Sequence, residues 1–312
     1  MLQNIVHTQG QTPFTQRSLR ITFRLLNNAF GPQGQDTVVL NGLRAIVDMT
    51  EAQFPSAQSA TLRLYGLQPD LMNRLSLAAP DLDVQNASEV TVETQDGQSI
   101  TALVFQGGVT LAYADYSGAP DTAFVVQAFS TALPNALVVP PTSFRGAVPA
   151  SQVLGAVAAK AGLGFVNNGV QTVFQAPYLY GSPGQQLAQC LETHPMRMAI
   201  GRGQLTIWPA PQARQGANQT QEQPVTLSAQ NGLIGYPSWS AGGLAFRMLF
   251  QPQVGFHTLI ALQSRYQPAG WGAATSTAAP TGLWRVVQAH HSLHTQQPEG
   301  AWFTDIVAQA AS

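Results

Sequence analysis

Charge is scarce in this chain: 9% of its 312 residues are Asp, Glu, Lys or Arg, where soluble domains carry roughly 25%. A surface so thinly charged is poorly solvated, so part of it is expected to be covered by partner subunits rather than by water. Neither sign is in excess. The formal net charge is −1 and the only lysine is Lys160, which excludes a general electrostatic pull on nucleic acid, acidic lipid or acidic polymer. Cysteine is reduced to Cys190, which excludes an internal disulfide and a CxxC site and leaves a small apolar core residue as its expected role. Long apolar runs are missing as well: no stretch of about 18 such residues occurs. The start, MLQNIVHTQGQTPFTQ, has neither the basic block nor the apolar block of a signal peptide. Synthesis in a cytosol is expected, with no membrane partner, and the sequon at Asn218-Gln219-Thr220 then has no meaning.

What is present is alternation. In SLRITFRLL, Leu19, Ile21, Phe23 and Leu25 oppose Arg20, Thr22 and Arg24, the period of a half-buried strand. ATLRLYGL repeats the pattern, and Pro69-Asp70 then opens a short predicted helix in PDLMNRLSL. Asp96-Gly97 stands between two alternating runs and fits a tight hairpin turn. Gly107-Gly108 marks an expected bulge or bend, and TAFVVQAFS completes a unit of six or more strands, as in a barrel or sandwich.

The proline-rich segment LPNALVVPPTSF reads as an irregular exit from that unit. Helical spacing follows: Ser151 is a candidate cap for a helix carrying Val153, Leu154, Val157 and Ala161, and Ser182-Pro183 starts another with Leu187, Cys190 and Leu191 on one stripe. A hairpin is expected to turn at Gly201-Arg202-Gly203. PQARQGANQTQEQP has the composition of a flexible linker or a long loop, after which strands return in GGLAFRMLF, HTLIALQSRY, LWRVVQAHHSLH and AWFTDIVAQ. The reading is mainly β with a smaller α/β part: a first β-barrel in residues 1–135, a small α/β domain in 136–215 and a second β-barrel in 216–312. An internal echo supports the pairing of the two barrels. Asn41-Gly42-Leu43 returns as Asn231-Gly232-Leu233, each followed by an arginine between apolar neighbours, Arg63 and Arg247.

Chemistry finds little support. HExxH spacing, a GxSxG elbow and a Walker loop are all missing. His290, His291 and His294 lie close together, and on a strand His290 and His294 would share a face where a third ligand could complete a metal site. A solvated strand carrying histidines is the commoner case. Asp81, Asp83, Asp115, Asp121, Glu192 and Asp305 are the carboxylates available for acid/base work, with His194 near Glu192, but none has a partner pattern. GSPGQQL offers helix-start amides to an anion, although Ser-Pro is common punctuation there. Trp239, Trp271, Trp284 and Trp302 would suit a carbohydrate site, a core or an interface, the last two being commoner. No catalytic, cofactor or metal residue is therefore expected.

Two stretches, NGLRAIVDMTEAQFPSAQSATLRLYGLQPDLMNRLS and VTVETQDGQSITALVFQGGVTLAYADY, together resemble the opening domain of phage tail baseplate hub proteins. That family has a strand, a polar crossing, a strand ending in a short Gly-Leu turn, a small helix, and then a hairpin with a strand like Phe105-Gln106-Gly107-Gly108-Val109. The stretches LSAQNGLIGYPSWSAGGLAFRMLFQPQVGFHTLIALQS and GLWRVVQAHHSLHTQQPEGAWFTDIVA look like its closing barrel. The resemblance implies a non-enzymatic homotrimer around a channel, related to the hub half of type VI secretion spikes, with two barrels per subunit facing a hexameric tail tube. It implies as neighbours the tail tube or distal tail protein, a spike or tip protein, and the tape-measure protein or DNA in the lumen. A tail-associated cell-wall-degrading or carbohydrate-binding protein is the alternative.

Overall fold

The computed structural model describes residues 17–25, 35–76, 88–96, 99–210, 222–265 and 281–311. The Asp96-Gly97 turn, the 211–221 part of the expected linker with its sequon, Asp81, Asp83 and Trp271 lie wholly or partly outside these residues.

The described chain runs β1 (Ser18–Leu25), β2 (Thr37–Asn41), β3 (Ala45–Glu51), β4 (Ser59–Tyr65), α1 (Pro69–Leu75), β5 (Ser88–Asp96), β6 (Ser99–Asp115), β7 (Ala123–Phe129) and α2 (Ala132–Ala136). Next come β8 (Thr142–Ser143), β9 (Ala147–Pro149), α3 (Ala150–Lys160), β10 (Gly164–Asn167), β11 (Val173–Gln175), β12 (Tyr178–Leu179), α4 (Pro183–Thr193), β13 (Met196–Gly201) and β14 (Gln204–Pro209). Last are β15 (Val225–Leu227), β16 (Leu233–Ser240), β17 (Gly243–Leu249), β18 (Leu259–Leu262), β19 (Gly282–Thr295) and β20 (Trp302–Ala310).

Alternation builds the first core. Leu19, Ile21 and Phe23 of β1, Ala45, Val47 and Met49 of β3, and Leu62 and Leu64 of β4 are all buried in one cluster with Val92, Phe105 and Phe124. Burial of each large aliphatic side chain is worth roughly 1.5–3 kcal/mol. β1 and β3 share this core although they are five places apart in the strand order, so the sheet curls over itself. A second core holds Val153, Leu154, Val157, Leu187, Cys190, Met198, Leu205 and Ile207 between α3, α4 and the β10-β14-β13 sheet. Cys190 is fully buried there, and burial pushes its thiol pKa up to about 12. The third core is formed by Leu227, Leu244, Phe246, Met248, Ile260, Val286 and Ile306.

Two closed barrels were expected. Instead, the hydrogen-bonded path among the described residues is one large sheet of 13 strands, β16-β17-β20-β19-β3-β4-β7-β6-β5-β1-β2, with β18 on β19 and β15 on β18. The physical reason is the length of β19. Along one edge its first residues pair with β18 and its last seven with β3, from Ala289↔Glu51 to Thr295↔Ala45, which fuses the two halves.

Within that sheet the strand order is duplicated. β3-β4-β7-β6-β5 and β16-β17-β20-β19-β18 have the same chain order and the same neighbours. The registers coincide too. Ile46, Arg63, Val125 and Tyr113 face one another across β3, β4, β7 and β6, as Ile234, Arg247, Asp305 and His290 do across β16, β17, β20 and β19. The bulge in β6 falls between Val109 and Leu111, and that in β19 between Val286 and Gln288, the same position relative to Tyr113 and His290. The duplication ends at the rim, where β1 joins β5 antiparallel but β15 joins β18 parallel.

Local readings need three adjustments. The bulge near Gly107-Gly108 sits at Thr110; the glycines serve close approach, because a Cβ on Gly107 would meet the Phe129 carbonyl at 2.6 Å and one on Gly108 the Leu133 side chain at 2.9 Å. The proline-rich exit contains one helical turn, α2, laid over Gly108. Helix α3 begins at Ala150 with Pro149 at its cap, so Ser151 is already inside its first turn. Lys160 closes that helix by donating to the Pro140 and Pro141 carbonyls and to Thr142 Oγ1.

Candidate functional site

The polar groups that the structure gathers lie where the three cores meet. Alternation along β3 buries Ala45, Val47, Met49 and then Glu51, so a carboxylate occupies the last inward position of an apolar face. Glu51 is 6% exposed. Its Oε1 accepts from Arg202 Nη2 at 2.9 Å and its Oε2 from the Phe256 amide at 2.8 Å. His291 Nε2 stands 3.6 Å from Oε1, an electrostatic rather than a hydrogen-bonded distance. The opposite ring nitrogen of the fully buried His291 meets Thr304 Oγ1 at 2.8 Å; with that hydroxyl donating, the ring proton faces the carboxylate. Burial pushes the Glu51 pKa up, but His291, Arg202 and the Phe256 amide together outweigh it and lower the value to about 2.

Each partner comes from a different part of the chain. Arg202 and Gly203 both have positive φ, 52° and 71°, in a two-residue turn between the paired Gly201 and Gln204, the geometry that matches strand twist in a tight hairpin. The turn delivers the Arg202 guanidinium to Glu51. Gly255 leaves the space on the other side, since a Cβ there would collide with the Glu51 carboxylate. Beside it, Arg285 Nη1 donates to the His257 carbonyl at 2.8 Å and to Glu222 Oε2 at 2.9 Å, while Trp208 stacks on the His257 ring at 4.4 Å. Phe54 adds a backbone bond to Met198 and packs into the second core. This is a structural lock: each oxygen of the buried carboxylate accepts a hydrogen bond, one from an arginine and one from a backbone amide, with a histidine ring at electrostatic distance.

The pH consequence has a definite sign. The folded pKa of Glu51 lies below the ordinary 4.5, so its stabilisation is fully present above that value and is lost as pH falls towards 2. The amount at stake is on the order of 3 kcal/mol. Urea midpoints measured between pH 5 and pH 2 (about the span of those two pKa values) should fall less steeply for Glu51→Gln than for the unaltered chain.

Other sequence candidates are dispersed. His290 bonds Thr50 Oγ1 at 3.1 Å and lies 3.7 Å from Asp48 on the half-exposed face, opposite to His291. Among the described residues no group of three or more His, Cys, Asp or Glu could hold a metal. Asp305 forms a two-pronged pair with Arg247 at 2.7 and 2.9 Å, Asp121 pairs with Arg44, and the Ser117 side chain and amide hold the Asp115 pKa low. Glu192 is exposed; His194 bonds Thr193 and packs on Phe174. The start of α4 is closed by a Ser182–Gln185 capping box. Trp239 and Trp284 pack edge to face at the third core, and Trp302 packs on Phe250. The sequence reading passed over Glu51, Arg285, Trp208 and His257. The alternation of AIVDMTE contained the signal for Glu51, a charge in phase with an apolar face.

The same fold occurs in solved tail proteins. The 43 kDa tail protein of prophage MuSo2 from Shewanella oneidensis superposes with a TM-score of 0.54 at 10% identity, over 93% of this chain and 96% of that one. The tail protein from Neisseria meningitidis MC58 gives 0.54 at 10% identity, over 94% and 96%. A search of curated proteins found no match. The architecture is thus one found in solved tail proteins. More particularly, residues 18–272 match the family model described as baseplate hub gp41, and the chain belongs to that family. Its role is structural, as a component of a phage tail and hence of the virion.

Proposed function

We propose that the chain is a non-catalytic hub subunit that assembles as a trimeric ring, joins the tail tube to the tail tip or spike, and surrounds the channel through which DNA or the tape-measure protein passes. The observation that carries this reading is the duplicated five-strand order with its coincident bulges. Three copies, each with two equivalent modules, present six similar positions, which is how a three-fold ring meets a six-fold tube without a change of fold. The low charge content favours extensive burial between subunits, and a ring removes exposed strand edges that a single copy would leave open. The two modules in this reading are barrel-like halves of one continuous sheet. Solution mass and particle images test it: three chain masses and an annulus with a central hole are expected, and a single chain at micromolar concentration overturns it.

A further inference from the structure

The duplicated sheet contains one strand junction for which only half of a matching pair is present. Inside the chain, β3 of the first module lies antiparallel along the last part of β19 in the second, with His290↔Thr50, His291↔Met49 and Ser292↔Asp48 in register. β6 is the equivalent of β19. Its pairing with β5 stops at Gly108, and from Val109 to Asp115 its strand partner among the described residues is β7 alone, on the other side. β16 is the equivalent of β3. It ends the path of the sheet, hydrogen-bonded to β17 on one side. The internal junction therefore uses one copy of each element, and the counterparts of both remain as edges.

We infer that β16 of one copy pairs antiparallel with the end of β6 in a second copy of this chain, repeating the β3–β19 junction across the subunit boundary. This deepens, and rests on, the ring reading. Register follows from the pairings already described. Through β17 and β4, Ser240, Trp239 and Ser238 are the equivalents of Thr50, Met49 and Asp48, because Ser240↔Gly243, Trp239↔Leu244 and Ser238↔Ala245 correspond to Thr50↔Ser59, Met49↔Ala60 and Asp48↔Thr61. Through β20 and β7, Tyr113, Ala114 and Asp115 are the equivalents of His290, His291 and Ser292. The pairs between copies are thus Tyr113 with Ser240, Ala114 with Trp239 and Asp115 with Ser238.

The occupant is a second copy because the missing strand on each side is one that this chain itself supplies. The contact is head to tail, so repetition continues past a dimer, and closure after three copies gives the proposed ring. Exposed apolar side chains flank both edges: Tyr113 and Tyr116 are 43% and 62% exposed beside the end of β6, and Ile234 and Tyr236 are 38% and 65% exposed on β16. Such side chains lose their contact with water when the strands join.

A disulfide tests the register directly. Directly opposed residues on antiparallel strands have Cα atoms about 4.5–5.5 Å apart, within the reach of a disulfide, and the native Cys190 is buried. Full-length Tyr113→Cys and Ser240→Cys chains are made separately, mixed, assembled and oxidised. A covalent two-chain product in the mixture, and in neither variant alone, is expected. Solution mass of the same samples separates the two claims. A particle of three chain masses with no covalent product overturns the strand pairing and leaves the ring; a single chain at every concentration overturns both. Should the variants not fold, hydrogen exchange on the unaltered particle decides. Peptides covering 112–115 and 238–240 should exchange within about tenfold of those covering the β3–β19 junction, and exchange at the rate of an open edge overturns the pairing.

Discussion

Replacing Glu51 by Ala should lower stability by about 3–5 kcal/mol, the usual cost of stranding one member of a buried ion pair. Arg202 would lose its 2.9 Å carboxylate partner, the Phe256 amide would lose its acceptor, and the ring proton of His291 would face an empty site. The loss should not be uniform. Arg202 sits at the tip of the β13–β14 hairpin, so amide exchange in 196–209 should accelerate more than exchange in the β4–β7 pairing. An exposed pair provides the contrast. Asp305→Ala removes the partner of Arg247, where both side chains are more than 40% exposed, and solvent screening holds its cost below about 1 kcal/mol. Urea unfolding of the two variants side by side checks the ranking; equal losses would mean that the junction is not the lock its geometry describes.

Gly107→Val should cost about 3 kcal/mol, at the upper end for an overpacked site. The added carbon meets a main-chain carbonyl, Phe129 O at 2.6 Å, and the Phe105 ring at 2.9 Å. The ring can turn only within a full core, and the carbonyl belongs to the β7 strand that pairs with both β4 and β6. Gly66→Ala is the control. Its φ of 81° strains any side chain, but nothing lies within 4 Å, so about 1 kcal/mol is expected. Thermal or urea unfolding of the two variants reads the difference, and a Gly107→Val chain as stable as Gly66→Ala would refute the close-approach argument.

Strands were legible wherever one face is buried and the other is wet. SLRITFRL and ATLRLY alternate because their side chains point by turns to a core and to solvent, and β1 and β4 lie there. Pro183 after Ser182 and the glycine-flanked Arg202 also carried their meaning locally, as a helix start and a hairpin tip. The short α2 was not legible, because three prolines in twelve residues obscure a single turn whose stability comes from lying over Gly108. The fusion of the halves was hidden for a similar reason. Nothing in GLWRVVQAHHSLHT distinguishes a strand that ends with its hairpin from one that continues along β3.

The junction lies between these cases. His291 was noticed as one of three neighbouring histidines, but adjacent strand residues point to opposite faces, so His290 went to the half-exposed side and His291 to the interior. The metal site considered for the cluster used His290 and His294, which share a face, with a third ligand from elsewhere; among the described residues no group of three or more possible ligands gathers there.

The amino-acid sequence by itself determined the β-rich character, the small helical insert, the echo of Asn-Gly-Leu and arginine, and the low charge content. These are properties of single residues and short periods, and local physics suffices for them. Tertiary structure alone decided that Glu51, Arg202, Phe256 and His291 meet, that one sheet spans both halves, and that two five-strand units share a register. Those facts depend on contacts between residues up to about 250 positions apart, where the chain's own spacing sets no geometry until the core has formed.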